Sequence, residues 1–429
     1  MLKKYASIMT EAFLYYLWKY KLFTSALVGT KGEQINILKT GTENTDSGPD
    51  FFNARIKIND NSWAGNVEMH IRSSDWYRHG HDKDAAYNNT ILHVVFEHDK
   101  DVYTKDGQEL VCLELQGKIN MQSLKRYEYL LHNKNWIPCE NSISDFPNFD
   151  WTHWSERVMV ERLEAKSAFV EELLKNTNNH WEQAFFVSLA GYFGQKINKL
   201  PFQILARSVD LNILAKHKDQ LFQIEAILFG QAGMLDGDNT SEYQQKLAKE
   251  YDFLRKKYKL VSMPYHLWKY MRLRPAAFPD IRIAQLAQMV AKRDFLFSKI
   301  LEIKNIKTLE ELFNTNASLF WDTHYRFQVE SKKRVKKLGR TSRLGIIINS
   351  VIPFLFVYGK MNGQQEYCDR ALELLSQLPA EKNYITKNFA SFGKTPKNAL
   401  ESQALIQIKQ QYCDFKKCLN CGVGLYLLR

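Results

Sequence analysis

Between residues 41 and 98 the chain gathers side chains that can carry chemistry. Gly48-Pro49-Asp50 is followed by Gly65-Asn-Val-Glu68-Met-His70, by Asp75-Trp76, by His79-Gly80-His81, and by an apolar run that holds His93. Five of the 11 histidines (His70, His79, His81, His93 and His98) fall within 29 residues, where even spacing would leave fewer than one. Two apart on a strand, Glu68 and His70 share a face. A hairpin turning near Asn59–Ser62 brings Asp50 beside residues 70–71, so that Asp50, Glu68 and His70 converge at one end of a sheet. Two carboxylates and a basic group so placed can hold Mg²⁺ or Mn²⁺, which take oxygen ligands, and orient a water for attack on phosphorus. The same stretch admits a zinc hydrolase site made of His70, His79 and His81, with Gly80 lending flexibility. Each residue also has a purely structural reading. His93 then becomes a hydrogen-bonded core histidine, Asp75-Trp76 a turn or cap, and Gly48-Pro49 the shape of a turn.

A second constellation closes the chain. Cys413, Cys418 and Cys421 form C-x4-C-x2-C ahead of Gly422. Two thiols three positions apart can reach one ion from a single turn, and zinc or an iron–sulfur cluster would take three cysteines and one distant ligand. Cys368 leads the candidates for the fourth, followed by His324, Cys139 and Cys112. The bland alternative is reduced thiols packed into a helical domain. A third feature is Lys332 to Arg343, with seven cations and no acid in twelve residues. Read as a helix, it puts Lys333, Lys336, Lys337 and Arg340 on one face for phosphate contact, with Val335 and Leu338 docking it on the core. Its structural alternative is a solvated face.

The elements that must position these groups divide the chain. Thr10 caps a helix from Glu11 whose buried face carries Phe13, Leu14, Leu17 and Trp18. Strand-like runs follow at Gln34–Leu38, Phe51–Ile58, Trp63–Arg72, Ile91–Phe96 and Leu110–Leu115, with a turn at Asn59-Asp60-Asn61. Asp82 to Asn89 is a short helix or loop. Beyond Trp151 apolar residues recur at helical spacing, as at Met159, Leu163, Val170 and Leu174, and amphipathic segments continue to about Gln411. The expectation is an α+β domain with a mixed sheet over residues 1–145 and an all-α domain over 146–429 that includes the cysteine tail.

Composition bounds the function. The chain has 429 residues and a net charge of +12, with 45% hydrophobic and 25% charged residues, which excludes disordered, collagen-like and coiled-coil classes. To residue 140 there are 17 Lys+Arg against 18 Asp+Glu, and beyond it 42 against 29, so the basic excess belongs to the second part. That excess suits a nucleic-acid partner. The longest apolar stretch, Leu344 to Tyr358, is interrupted by Asn349, Ser350 and Pro353 and is short of the ~20 residues of a membrane helix. No signal peptide is expected at the N-terminus, and six cysteines are too few for a disulfide scaffold, so a cytoplasmic protein is expected.

Two resemblances sharpen these expectations. The order helix, strand, Pro49-Asp50, hairpin, Glu68-Met-His70, helix, strand over residues 10–100 resembles the PD-(D/E)XK nuclease superfamily. That likeness implies a restriction-endonuclease-like sheet, metal ligands at Asp50 and Glu68 with Glu11 as an extra acid, and phosphodiester hydrolysis. His70 stands where the superfamily has Lys. The phrases Gly48-Pro-Asp-Phe-Phe-Asn-Ala, Gly65-Asn-Val-Glu-Met-His, Asp75-Trp, His79-Gly-His and Tyr412-Cys through Cys421 look like the bacterial domain-of-unknown-function family 2851 over nearly the whole chain. Three functions stay open. They are a metal-dependent nuclease, a catalytically inactive nucleic-acid- or protein-binding module, and a zinc hydrolase using the histidines.

Overall fold

The computed structural model describes residues 9–237, 241–292 and 296–429. They form two compact units, Met1–Trp154 with Ile408–Arg429, and Ser155–Gln407. The boundary expected at 145 falls instead at Trp154/Ser155, within α4 (Asn148–Asn176), which continues unbroken from one unit into the other. The tail, expected with the helices, belongs to the first unit. Cys418 and Leu428 are buried in that unit's core, and Leu419 and Leu425 pack against it, so the apolar tail finds its burial there.

The first unit is a mixed sheet with helices, as its alternating runs require. Helix α1 (Glu11–Lys19) opens where the Thr10 hydroxyl accepts the Phe13 N–H at 3.2 Å, and it buries Phe13, Leu14, Tyr16, Leu17 and Trp18. The strands are β1 (Leu27–Val28), β2 (Gln34–Lys39), β3 (Thr42–Glu43), β4 (Phe51–Ile58), β5 (Asn61–Arg72), β6 (Thr90–Glu97) and β7 (Cys112–Glu114). Their order is β1-β2-β4-β5-β6-β7, with β3 beside β4. Pairings up to β4–β5 are antiparallel, while β5–β6 and β6–β7 are parallel. Between β5 and β6 lie α2 (Asp75–Arg78) and two 3₁₀ turns, so Asp82 to Asn89 holds turns rather than a regular helix. One face of the sheet carries Ile37, Phe51, Ala54, Ile56, Val67, Met69, Leu92, Val94 and Leu113 against α1 and α3 (Met121–His132). By strand alternation Glu68, His70 and His93 look the other way.

The second unit is helical apart from a two-stranded ribbon, β8 (His324–Arg326) with β9 (Val329–Glu330). The apolar stretch Leu344 to Tyr358, interrupted in composition by Asn349, Ser350 and Pro353, lies within one 23-residue helix, Arg340–Asn362. A π turn over Ile347–Val351 precedes Pro353, and the wider turn accommodates a residue that has no N–H to donate. This helix is long and apolar enough to cross a membrane by composition, yet most of it is buried within its own unit.

Gly65 governs the pairing that sets up the candidate site. A Cβ there would stand 2.4 Å from Ile91 Cγ2 and 2.7 Å from the Asn89 carbonyl, at the start of the β5–β6 pairing. Gly65→Ala should therefore destabilise the first unit by about 1–3 kcal/mol through overpacking. Gly339→Ala, whose Cβ would meet nothing within 4 Å, should be close to neutral. Denaturant titration of both variants against the parent checks this.

Candidate metal centre

Strand β5 presents Glu68 and His70 on its non-core face, and the parallel register sets His93 of β6 beside Glu68. The chain then turns back through α2 and the left-handed Gly80 (φ 77°), which returns His79 and His81 over the same face. Trp76 and Tyr87 form a small apolar cluster behind them with Val102 and Leu110. Tyr87 stacks on the His81 ring with centroids 3.9 Å apart, and Trp76 meets His81 edge-on at 5.3 Å. The short turns thus hold the imidazoles through aromatic packing.

The histidines and Glu68 meet at one point. One ligand nitrogen from each of His70, His79 and His81 lies within 4.8 Å of the others. His81 Nε2 stands 3.1 Å and His70 Nε2 3.6 Å from Glu68 Oε1. His79 Nδ1 is 3.1 Å from His70 Nε2, and His93 Nε2 is 2.8 Å from His70 Nδ1. Each of those imidazole contacts needs one proton, so the tautomer of His70 is tied to both neighbours. The 3.1 Å separation of His81 from Glu68 is ionic in distance but wrongly directed for a hydrogen bond. His81 Nε2 is accordingly a buried nitrogen without a hydrogen-bond partner. An ion between the two would satisfy both atoms.

Asp50 completes the site from β4's entrance. Its N–H donates to Glu68 Oε2 at 3.1 Å, its Oδ2 accepts the Met69 N–H at 2.8 Å, and its Oδ1 accepts the Tyr15 hydroxyl at 2.6 Å. It therefore sits opposite Glu68, short of the expected residues 70–71. The turn is tighter than expected, with Ile58 paired to Asn61, and the register slips at a bulge between Phe51 and Ala54, where Asn53 takes φ 56°. Burial first, and then the charge of Glu68, pushes the Asp50 carboxyl well above the usual carboxylate range, against the pull of Tyr15 and Met69. Glu11 faces the same cluster. Burial raises it, His79 draws it down, and Asp75 and Glu68 raise it further.

From sequence no role is expected of Tyr15 or Tyr87, although Tyr87 stands at the close of the polar run. Tyr15 had a signal, since it follows Glu11 by one helical turn and so shares its face. Tyr87 had none, because stacking on His81 depends on the path of two irregular turns. Asp75 accepts the Arg72 N–H at 3.2 Å and pairs with Arg78 at 3.0 Å, which anchors α2.

The other sequence candidates lie elsewhere in the fold. Cys368 is in the second unit, where its thiol donates to the Phe356 carbonyl at 3.4 Å, and His324 stacks on Phe320 at 4.1 Å. Cys112 lies on β7 beside His93. The segment Lys332 to Gly339 is extended, contrary to the expected helix, and a helix begins only at Arg340. Its residues 336–338 pair with Thr315–Ala317, and there burial alternates with period 2. Lys333 and Lys337 are exposed while Lys336 is buried, its ammonium donating to the Asp322 carbonyl and Ser331 hydroxyl at 3.1 Å and lying over Tyr325. Leu338 docks as expected, whereas Val335 is exposed. Arg340 and Arg343 both pair with Glu310, at 3.1 and 3.2 Å. The four-cation face does not exist.

The imidazole stack has a consequence for pH. Burial pushes His93 down to about 3, and burial followed by His93, His81 and His79 pushes His70 down to about 2. Unfolded imidazoles take up protons near 6.5, so stability is full above that pH and is lost as the pH falls toward 3. Asp50 and Glu11, both raised, run in the opposite direction. His93→Gln removes one imidazole from the sum, and between pH 7 and 5 it should lose up to about 2 kcal/mol less stability than the parent. Urea titrations at the two pH values measure this.

No curated protein and no solved structure matches the chain. The family model described as a protein of unknown function, DUF2851, matches residues 11–384, which takes in α1, the whole sheet, the histidines and most of the helical unit, and the chain belongs to that family.

Proposed function

We propose that the first unit is a metal-dependent phosphodiesterase acting on nucleic acid. A divalent transition metal would be held by Glu68, His70, His79 and His81. The observation that carries this reading is the convergence of three imidazole nitrogens within 4.8 Å of one another on a buried carboxylate. Among the described residues no Lys or Arg pairs with Glu68 or Asp50, so the charge of this pocket is left for a cation from outside. Imidazole-rich sets suit zinc or iron better than Mg²⁺, which prefers oxygen ligands and keeps its waters. Such an ion would acidify a bound water and offset charge on a phosphoryl group.

The protein's own groups have separable tasks. His93 fixes the orientation of His70 by occupying its Nδ1, as partners of ligating imidazoles do. Asp50, aligned by Tyr15 and the Met69 N–H, is placed to accept a proton next to Glu68. His70 is held neutral and so takes a ligand's role, not that of the superfamily's cationic Lys. Substrate class rests on the PD-(D/E)XK-like order of elements around Asp50 and Glu68, and on the +12 net charge, which favours a polyanion.

Cleavage of single- and double-stranded DNA and RNA with Mn²⁺, Zn²⁺ or Mg²⁺ added to metal-stripped protein tests the reading. Hydrolysis should appear with a transition metal. Glu68→Gln and His81→Ala should each lower the rate by at least ~100-fold, and Tyr15→Phe by about 10-fold. A site that binds metal yet cleaves none of these substrates would instead make the unit an inactive nucleic-acid- or protein-binding module. Cleavage untouched by His79→Ala and His81→Ala would end the proposed ligand set.

A further inference from the structure

Five of the six cysteines, all free thiols, lie in the first unit: Cys112 is on β7, and the other four are Cys139, Cys413, Cys418 and Cys421. They arrive on separate pieces of chain. Cys139 lies in the turn after α3, where its carbonyl accepts the N–H groups of Ser142 and Ile143 at 2.9 Å. Cys413 ends a π turn (Ile408–Cys413), Cys418 opens a 3₁₀ turn, and Cys421 precedes the helix Gly422–Leu428. Cys418 is part of the hydrophobic cluster against which Cys139 packs. Lys416, between Cys413 and Cys418, donates to the carbonyls of Leu131 and Asn133, and Asn133 in turn donates to the Pro138 carbonyl at 2.9 Å. The tail loop is thereby tied to the segment that carries Cys139. The loop is also tightly wound, since a Cβ on Gly424 would stand 2.0 Å from the Cys418 carbonyl oxygen.

The thiols are close enough to feel one another. Burial suppresses the acidity of Cys413 most, followed by Cys421, Cys139 and Cys418, while Cys139 responds to burial and then to Cys421 and Cys418. The Cys421 sulfur is buried and accepts the N–H groups of Gly424 and Val423, contacts that favour a thiolate.

We propose that Cys139, Cys413, Cys418 and Cys421 ligate a thiophilic metal centre that clips the returning tail to the first unit. Each thiol gives its proton to solvent as the metal binds. Cys112, on β7 beside His93, is excluded as the fourth ligand by its place in the sheet. Spacing bears on the kind of centre. A single zinc with ~2.3 Å bonds sets its sulfurs about 3.8 Å apart. Among the described residues the group drawn within 4.8 Å is His70, His79 and His81, so the cysteine set is wider than that. An iron–sulfur cluster, whose ligands sit on different irons, takes a wider set.

The test is iron, sulfide and zinc analysis with visible absorption on the full chain purified without oxygen. About two to four irons with matching sulfide are expected, or about one zinc if the sulfurs close inward. With any ion held by the histidines set aside, this content should persist in Cys368→Ser and in the triple variant His70→Ala, His79→Ala, His81→Ala, and should be lost in Cys139→Ser. If Cys139→Ser fails to fold, native thiol titration of the parent decides instead, with chelator treatment exposing about four further thiols. Metal that disappears entirely with the histidines, metal beyond one histidine-held ion that survives in Cys139→Ser, or four thiols that react without chelator would each overturn the proposal.

Discussion

Glu68 is 4% exposed on a sheet face where, among the described residues, no lysine or arginine meets it, and much of the first unit is arranged around that carboxylate. A buried carboxylate requires donors or a cation. One oxygen takes the Asp50 N–H, which requires the β4 entrance to lie opposite Glu68 and so requires the bulge at Asn53. The other oxygen faces His70 and His81, which requires a chain reversal tight enough to need Gly80 in the left-handed region. Trp76 and Tyr87 are then less a core than a backing, pressing His81 toward the carboxylate. Local irregularities that would weaken a sheet of no function are here the features that aim the polar groups.

Much of this was legible from the chain, for identifiable reasons. Strands and the first helix announced themselves because each has one covered face, so period 2 in Asn53–Ile58 and helical spacing in Phe13, Leu14 and Leu17 survive as pattern. Glu68 and His70 were linked by the same parity. The partner of Glu68 was misplaced by two residues, since a bulge shifts register without marking the hydrophobic pattern. Tyr15 and Tyr87 escaped because their roles are set by tertiary approach, and aromatic residues are common enough in this chain that no spacing separates them from core.

The basic run failed differently. Seven cations in twelve residues suggested a helical face, but composition says nothing of period. Pairing of residues 336–338 with Thr315–Ala317 turns Lys336 and Leu338 to the interior, and Lys336 is tolerated there because its ammonium finds two oxygens and an aromatic face. Arg340 and Arg343 are spent on Glu310. Lys332, Lys333, Arg334 and Lys337 stay exposed on an extended segment, not on one face of a helix.

Chain order and spatial order diverge most at the tail. The last residues leave a helical unit of some 250 residues and add Cys418 and Leu428 to a core begun by α1. Closing so long a loop costs only slowly more entropy than closing a short one, but the terminal segment still has to be held against fraying. The segment Gly422–Leu428 spans two helical turns and makes a small apolar contact on its own. The cysteines lie where Cys139 and the returning strand of chain meet. Sulfur ligation at that junction would fasten the end of the chain to the unit that holds the histidines, and it would do so through residues that take no part in their chemistry.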